Sequence, residues 1–336
     1  MPVRIANPAS EKQLSVVVPC FNEEAGLAEL VRRTIAACDA THQTCEILLV
    51  DDGSSDTTWS LIEQAAAEHP EIRGIRLSRN YGHQIALTAG LSAADGERVL
   101  MLDADLQDPP ELLPEMLALM DQGYDVVYGK RTKRKGESVF KRASASLFYR
   151  LIQRLSDVEI PVDSGDFRLV SRRALDQFLS MPERSRYVRG MFAWIGFRQI
   201  GIEYEREERF AGETKYPFGA MLRFASDALT GFSTAPLRLA TTLAYLSLAI
   251  AGIMGIYVVI SLLVANTAPG WASLLLAVSF FSAMQLLTLG ILGEYIGRLY
   301  TEAKQRPLFL IDRQVGGTEA PAAGAKTDGG AEEEVA

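Results

Sequence analysis

Residues 98–112 read "RVLMLDADLQDPPEL". Val99, Leu100, Met101 and Leu102 form a short apolar run of the kind that makes a buried strand. Three carboxylates, Asp103, Asp105 and Asp108, follow within six residues. Uncompensated, they would repel one another. The placement is explained if a cation, or a cation carrying a phosphate group, sits at the end of the strand.

The same arrangement recurs upstream. "LSVVVPCF" (Leu14–Phe21) is an apolar run closed by Asn22 and Glu23, and "CEILLVDDGSSD" ends in Asp51 and Asp52. Between these runs lie helical patterns: "NEEAGLAELVRRTIAAC", "TTWSLIEQAAAEHP" and "HQIALTAGLSAAD". Leu27, Leu30, Val31 and Ile35 recur at helical spacing, and acids precede them at the helix start. "IRGIRLSRNYG" supplies another strand. Alternating strands and helices indicate an α/β domain with a mostly parallel sheet covered on both faces. Ligands bind such sheets at the carboxyl ends of the strands, where these acids fall. Neither GxGxxG nor GxxxxGK[ST] occurs, which excludes a dinucleotide-binding fingerprint and a P-loop.

Charge and hydropathy are unevenly distributed along the 336 residues, whose net charge is −8. Lys130–Arg154 holds nine bases and one acid, whereas Asp312–Ala336 holds six acids and two bases. Residues 239–264 and 271–293 contain no charged side chain. Each run exceeds the roughly 20 residues needed to cross a bilayer, and "ANTAPG" between them allows only a tight hairpin. The alternative for each is a buried core helix. Arg223 and Arg238 precede the first run, Arg298, Lys304 and Arg306 follow the second, and the turn has no base. The positive-inside rule then places the soluble domain and both termini in the cytoplasm, at the inner membrane. A hairpin without intramembrane charge is an anchor rather than a transport path. Gly293 and Gly297 form a GxxxG, a pattern of close helix packing.

Two segments have basic amphipathic character, near 138–155 and 216–232. Phe140, Ala143, Leu147, Leu151 and Leu155 share one face of the first; Phe218, Met221, Leu222, Ala225 and Leu229 share one of the second. Beside an anchor they suit the headgroup region, the alternative being helices packed on the soluble core. The expected organisation is a catalytic domain over 1–230, a membrane hairpin over 231–300, a juxtamembrane segment over 301–312 and a disordered, low-complexity tail over 313–336. The first 15 residues are polar, and no signal peptide is expected. Cys20, Cys38 and Cys45 form no CxxC pair. Cys38, His42 and Cys45 lack the fourth ligand of a structural zinc site, so small residues at a helix end explain them better.

Several readings of "DADLQD" compete. A calcium loop of the EF-hand type needs glycine at the sixth position and glutamate at the twelfth, here Asp108 and Pro114. A DxDx[T/V] phosphatase motif has Gln107 at its fifth position. An acidic helix start before Pro109 and Pro110 explains Asp108 and leaves Asp103 and Asp105 unexplained. A DxD site, where a divalent ion bridges carboxylates and a nucleotide diphosphate, explains both.

Taken in order, "VVVPCFNEE", "VDDGSSD", "LSRNYGHQIALTAG", "MLDADLQDPPE", "YGKR", "DSGDFRL" and "RFAGETKYPF", followed by two apolar spans, resemble the family 2 glycosyltransferases of GT-A fold. Within them the chain is most similar to the polyprenyl-phosphate glycosyltransferases: dolichyl-phosphate mannose synthases and the bacterial undecaprenyl-phosphate glucosyltransferases of O-antigen modification. The resemblance covers residues 14–310. It implies an inverting transfer of a hexose from a nucleotide sugar to a polyprenyl phosphate, with glucose from UDP-glucose first and mannose, galactose or modified arabinose as alternatives. It places Pro19, Phe21, Glu23, Asp51, Asp52, Asp103 and Lys215 at the donor nucleotide, and Asp103, Asp105 and Gln107 at a divalent cation (Mg2+ or Mn2+). Arg131, Arg142, Ser146 and Arg209 fall at the acceptor phosphate, and Asp105, Asp166 and Arg168 at the reacting centre. Phe21 stands where relatives often carry tyrosine, which keeps stacking and loses a hydrogen bond. A homo-oligomer, dimer or tetramer, is expected, with a membrane and no nucleic acid as partner. A processive polysaccharide synthase would need QxxRW, which is absent. A membrane-tethered nucleotide-sugar sensor would not need the basic stretch.

Overall fold

The computed structural model describes residues 12–132, 164–206, 235–263 and 270–317. The chain alternates β1 (Leu14–Cys20), α1 (Leu27–Asp39), β2 (Cys45–Asp51), α2 (Thr58–Glu68), β3 (Ile72–Leu77), α3 (His83–Ala93) and β4 (Arg98–Met101). A 3-10 turn, Pro110–Leu112, leads into α4 (Leu113–Asp121), followed by β5 (Val126–Arg131). Then come β6 (Ser164–Ser171), α5 (Arg172–Ser180), α6 (Val188–Ile195) and β7 (Gln199–Tyr204). Two long helices, α7 (Ala235–Leu263) and α8 (Trp271–Ala303), precede a last strand, β8 (Ile311–Val315).

The strands form one sheet in the order β7-β5-β6-β4-β1-β2-β3-β8. Strands β3, β2, β1 and β4 run parallel, as do β5 and β7; β6 lies antiparallel between β4 and β5. All seven residues of β1 are buried, as expected of a strand covered on both faces. Val16, Val18, Ile47 and Leu49 pack under α1, α2 and α4, while Val17, Leu48, Val50 and Ile75 pack under α3, α5 and α6. On the second face Phe178 and Phe192 stack at 4.6 Å between α5 and α6. The sequence-based α/β sheet is therefore present, and its strands extend to both sides of the parallel core.

Register decides what meets at the carboxyl edge. Met101 of β4 pairs antiparallel with Arg168 of β6. Two residues further along β4, and two residues back along β6, the chain reaches Asp103 and Asp166. Residues 63 positions apart in sequence thus arrive at the same place because their strands run in opposite directions.

The tail requires a correction. Disorder was expected from residue 313, yet Arg313, Gln314 and Val315 are strand residues paired antiparallel with Arg76, Ile75 and Gly74. Leu310 accepts a hydrogen bond from the Ser78 N–H at 2.9 Å, and Val315 packs against the core. Gly316 has φ +72, and a Cβ there would run into the Ile72 carbonyl. The low hydropathy of "DRQVGG" conceals an edge strand whose stability comes from backbone pairing. Truncation after Gly317 is expected to leave thermal stability and activity nearly unchanged. Truncation after Asp312 removes most of β8 and should lower the melting temperature by several degrees, for a loss on the order of 1–3 kcal/mol. Equal melting temperatures for the two truncations would refute this role for β8.

Helices α7 and α8 pack side by side. Both are long and apolar enough to cross a membrane, over Ala240–Tyr257 and Phe280–Ala303. Leu248, Ile256, Leu286 and Leu299 are exposed, so neither helix is the buried core helix weighed as the alternative. Helix α8 runs ten residues beyond the charge-free stretch and carries Glu294, Arg298 and Glu302 in its last turns. The GxxxG expectation is not met among the described residues: a Cβ at Gly293 or Gly297 would touch nothing within 4 Å. The segments near 138–155 and 216–232 lie outside the described residues.

Candidate active site

The first two acidic loops are bound to each other. Asn22 donates its N–H to Ser54 Oγ (3.0 Å) and accepts from the Ser55 N–H through Oδ1 (2.9 Å). The Glu23 N–H reaches Thr58 Oγ1 at 2.9 Å. Gly53 takes φ +69 in this turn, where a Cβ would meet the Arg79 backbone at 2.6 Å. Phe21, 36% exposed, stands at the end of β1 above the joined loops, while Pro19 is buried within the strand. Asp51 faces Arg76 Nε (3.3 Å) and accepts the Ser54 N–H (3.0 Å). Asp52 accepts the N–H groups of Tyr81 (2.7 Å) and Gly82 (2.9 Å), immediately before α3. Burial raises the Asp52 carboxyl above its ordinary value, against those two hydrogen bonds. Both acids are buried, and each first shapes the loops around the site.

Beyond β4 the chain keeps alternating. Leu102, Ala104 and Leu106 turn into the core; Asp103, Asp105 and Gln107 turn outward. Asp105 Oδ1 accepts the Gln107 N–H at 3.2 Å across a turn in which Leu106 takes φ +58. This local capping is what holds a β-strand pattern open outside the sheet.

The centre is a group of three. His83, the first residue of α3, places Nε2 3.3 Å from Asp103 Oδ1 and 3.4 Å from Asp166 Oδ2. The ligand atoms of His83, Asp103 and Asp166 all lie within 4.8 Å of one another. Burial pushes the Asp103 carboxyl up to about 6, and the negative charges of Asp166, Asp108 and Asp105 add to it against His83. Burial disfavours a charged His83, but Asp103 and Asp166 outweigh it and raise the imidazole to about 9. Burial alone would raise Asp166 as well, yet Arg189, ahead of His83, holds its carboxyl well below the usual range. Arg189 donates from Nε to Asp166 Oδ1 (2.8 Å) and from Nη2 to Oδ2 (3.3 Å). Gln84 Nε2 donates to Asp166 Oδ2 at 2.9 Å, and Gln84 Oε1 accepts the Val188 N–H at 3.0 Å.

This donor set fits a divalent cation. It offers carboxylate oxygens within reach of one ion and an imidazole nitrogen that can join them once it gives up its proton, and a cation there would favour the Asp103 anion that burial and the neighbouring carboxylates disfavour. The set overlaps the sequence-based ligands Asp103, Asp105 and Gln107 only at Asp103. Asp105 lies outside the group of three and faces Arg206 Nη2 at 3.6 Å.

A second cluster forms around Asp108, which is 0% exposed. It accepts the Tyr204 O–H, and Arg131 Nη2 lies 3.4 Å away. Arg206 Nε lies 3.8 Å away. Arg131 Nε also donates to the Tyr204 hydroxyl at 3.2 Å. Arg131, expected at the acceptor phosphate, is therefore tied to an internal carboxylate. Arg168, expected at the reacting centre, is buried. It donates from Nη2 to the Gly165 carbonyl (3.1 Å) and lies 5.3 Å from the Phe192 ring centre, and burial lowers its pKa to about 10. In this position it supports the strand end that carries Asp166. Arg142, Ser146, Arg209 and Lys215 lie outside the described residues.

Sequence reasoning did not single out His83, Gln84, Arg189, Arg206, Tyr204 or the buried role of Asp108. His83 carried a usable signal, since it opens a helix directly after a strand at the carboxyl edge. Arg189 and Arg206 carried none.

Comparison with known proteins agrees with this geometry. Residues 15–179 match the glycosyl transferase family 2. The chain is 44% identical over 308 residues to the uncharacterized glycosyltransferase YkcC of Bacillus subtilis (strain 168), covering 90% of this chain and 94% of the relative. It is 36% identical over 302 residues to the prophage bactoprenol glucosyl transferase homolog of Escherichia coli (strain K12), covering 90% of this chain and 99% of the relative. The bactoprenol glucosyl transferase of Shigella phage SfV is 36% identical over 303 residues, with the same two coverages. The chain belongs to glycosyltransferase family 2, with the GT-A arrangement of an α/β sheet and an acidic carboxyl edge, and it is a glycosyltransferase.

Proposed function

We propose that the protein is a membrane-bound inverting glycosyltransferase that moves glucose from UDP-glucose to a polyprenyl phosphate such as undecaprenyl phosphate. The observation that carries this reading is the His83–Asp103–Asp166 group at the carboxyl edge of the sheet, on a chain that also presents two exposed apolar helices. The relatives named bactoprenol glucosyl transferase, matched over nearly their whole length, support the acceptor and the sugar.

The chemistry follows from the charges. The acceptor is a phosphate monoester, already anionic at pH 7 because its second pKa is about 6, so it needs no strong base. One phosphate oxygen attacks the anomeric carbon, the bond to the nucleoside diphosphate breaks, and the configuration inverts. Arg142, Ser146 and Arg209 gather the acceptor phosphate, while Arg131, paired with Asp108, fixes the end of β5 beside them; Lys215 approaches the donor diphosphate; Phe21, Glu23 and Asp51 line the nucleoside pocket. Asp166, held by Arg189 and Gln84, orients a sugar hydroxyl or faces positive charge developing on the ring. A divalent cation, Mg2+ or Mn2+, held by Asp103 with His83, Asp166 or Asp105, would supply positive charge for the departing diphosphate. Helices α7 and α8 anchor the protein in the inner membrane, with the catalytic domain and both termini cytoplasmic and the chain assembled as a homo-oligomer.

The test is a screen of radiolabelled nucleotide sugars with undecaprenyl phosphate and the purified full chain. UDP-glucose is expected to give the fastest label transfer into lipid. Transfer from none of the glucose, mannose, galactose or arabinose donors would overturn the proposal. Arg142→Ala should raise the apparent KM for the lipid about tenfold or more while donor binding, measured by calorimetry without lipid, stays near wild type. Loss of donor affinity with unchanged acceptor kinetics would place the two substrates the other way round.

A further inference from the structure

The chain leaving α8 is fastened to the catalytic domain at two places, and both lead to the group of three. The first is the turn between α5 and α6. Glu302 Oε1 accepts the Arg184 N–H at 2.8 Å, and Arg298 Nη1 donates to Ser185 Oγ at 3.2 Å. The Arg184 guanidinium donates to the Arg306 carbonyl. Arg298 and Glu302, one turn apart on α8, and the Arg306 carbonyl in the chain just after it together grip the turn. Arg186, next in the turn, is buried and donates to the carbonyls of Phe178 (3.3 Å) and Met181 (2.7 Å). Helix α6 starts two residues later, with Val188 bonded to Gln84 and Arg189 bonded to Asp166. The second fastening is β8 on β3. Strand β3 runs into the loop that Asp52 pins in front of His83.

We infer that Glu302 is a positioning residue: by docking the 184–187 turn onto the end of α8, it sets Arg189, and through it Asp166, in the transferring geometry. The apolar hairpin is then more than a tether. Its placement is read by the carboxylate at the reacting centre, through the six residues from Arg184 to Arg189, fixed at both ends by hydrogen bonds to charged groups. A turn pinned at Arg184 and Arg186 has little freedom to absorb a shift of α8, so displacement passes to α6. The inference takes the reaction from the proposed function; the docking itself does not depend on it.

The experiment uses the full chain in phospholipid nanodiscs and compares wild type, Glu302→Ala, Glu302→Gln and Ser185→Ala. Hydrogen–deuterium exchange over residues 182–195 and steady-state transfer from UDP-glucose to undecaprenyl phosphate are measured on the same samples. Glu302→Ala is expected to speed exchange in 182–195, leave exchange in β1 and β2 unchanged, and lower kcat about tenfold with donor KM near wild type, since small misplacements at a reacting centre cost that much or more. Glutamine keeps an acceptor oxygen for the Arg184 N–H, so Glu302→Gln should restore most of both losses. Ser185→Ala, which keeps Glu302, should shift both readouts in the same direction by less, and it decides the matter if Glu302→Ala does not fold. Unchanged exchange in 182–195, faster exchange with unchanged kcat, or a rise in donor KM at constant kcat would each overturn the inference. Absence of lipid transfer by the wild type would overturn the proposed function instead, and the exchange measurements alone would then decide the docking.

Discussion

Asp103→Asn is expected to lower sugar transfer by roughly 10²–10³-fold, the loss typical when charge stabilisation is removed from a developing anion. Asparagine has nearly the shape of aspartate, so the turn after β4 should survive, with Leu102 and Ala104 still packed in the core. What disappears is the charge facing His83 at 3.3 Å and the carboxylate shared with the Asp166 side of the site. Burial raises the Asp103 carboxyl to about 6, with the neighbouring carboxylates adding to it, so a bound cation would favour its anion. Calorimetric titration of the variant with Mn2+ should therefore show weakened binding, a readout independent of turnover. Excess EDTA should silence the wild type to a similar degree. Asp105→Ala separates two roles for the neighbouring acid. If Asp105 helps hold the ion, the variant loses Mn2+ affinity; if it serves only to seat Arg206, ion affinity is kept. Full wild-type activity in excess EDTA, or an Asp103→Asn variant retaining half its activity, would sink the metal assignment.

Asp108→Ala should cost about 3–5 kcal/mol of stability, because it breaks a buried ion pair by removing one partner. Asp108 is fully buried and receives the Tyr204 hydroxyl and the Arg131 guanidinium, with Arg206 close by. Removal leaves Arg131, itself mostly buried, facing the Tyr204 hydroxyl and a cavity where its carboxylate partner stood. Asp108→Asn keeps an acceptor oxygen and should cost less, on the order of 1–3 kcal/mol. Denaturant unfolding in detergent, followed by tryptophan fluorescence, measures both. Stability unchanged in Asp108→Ala would show that Arg131 and Tyr204 find other partners. The same variant frees Arg131 at the end of β5 and Arg206 beyond β7, so acceptor kinetics should worsen alongside stability.

Much of the site was legible because its signals are local. Each parallel strand announces itself as an apolar run, and the polar residues that follow must fall at the carboxyl edge. Asp51, Asp52, Asp103 and Asp105 could therefore be placed together before any coordinates, as could two exposed apolar helices from the absence of charge over 239–264 and 271–293. Asp166 came from the resemblance, and the antiparallel pairing of β6 with β4 accounts for its position beside Asp103. The tail was misjudged for a related reason: "IDRQV" carries little hydrophobic signal, and its order comes from backbone bonds to β3.

The order and composition of the chain by themselves determined the strand–helix alternation, the acidic edge and the apolar hairpin, because periodicity and burial are properties of neighbouring residues. Only the tertiary structure decided which positive groups answer which acids. It gave His83 to Asp103, Arg189 to Asp166, Arg206 to Asp105, and Arg131 with Tyr204 to Asp108. These partners lie 20 to 101 residues from their acids in sequence, on α3, β5, α6 and the end of β7. Charge pairing depends on distance in space, and distance in space depends on register and crossover, which no local pattern encodes.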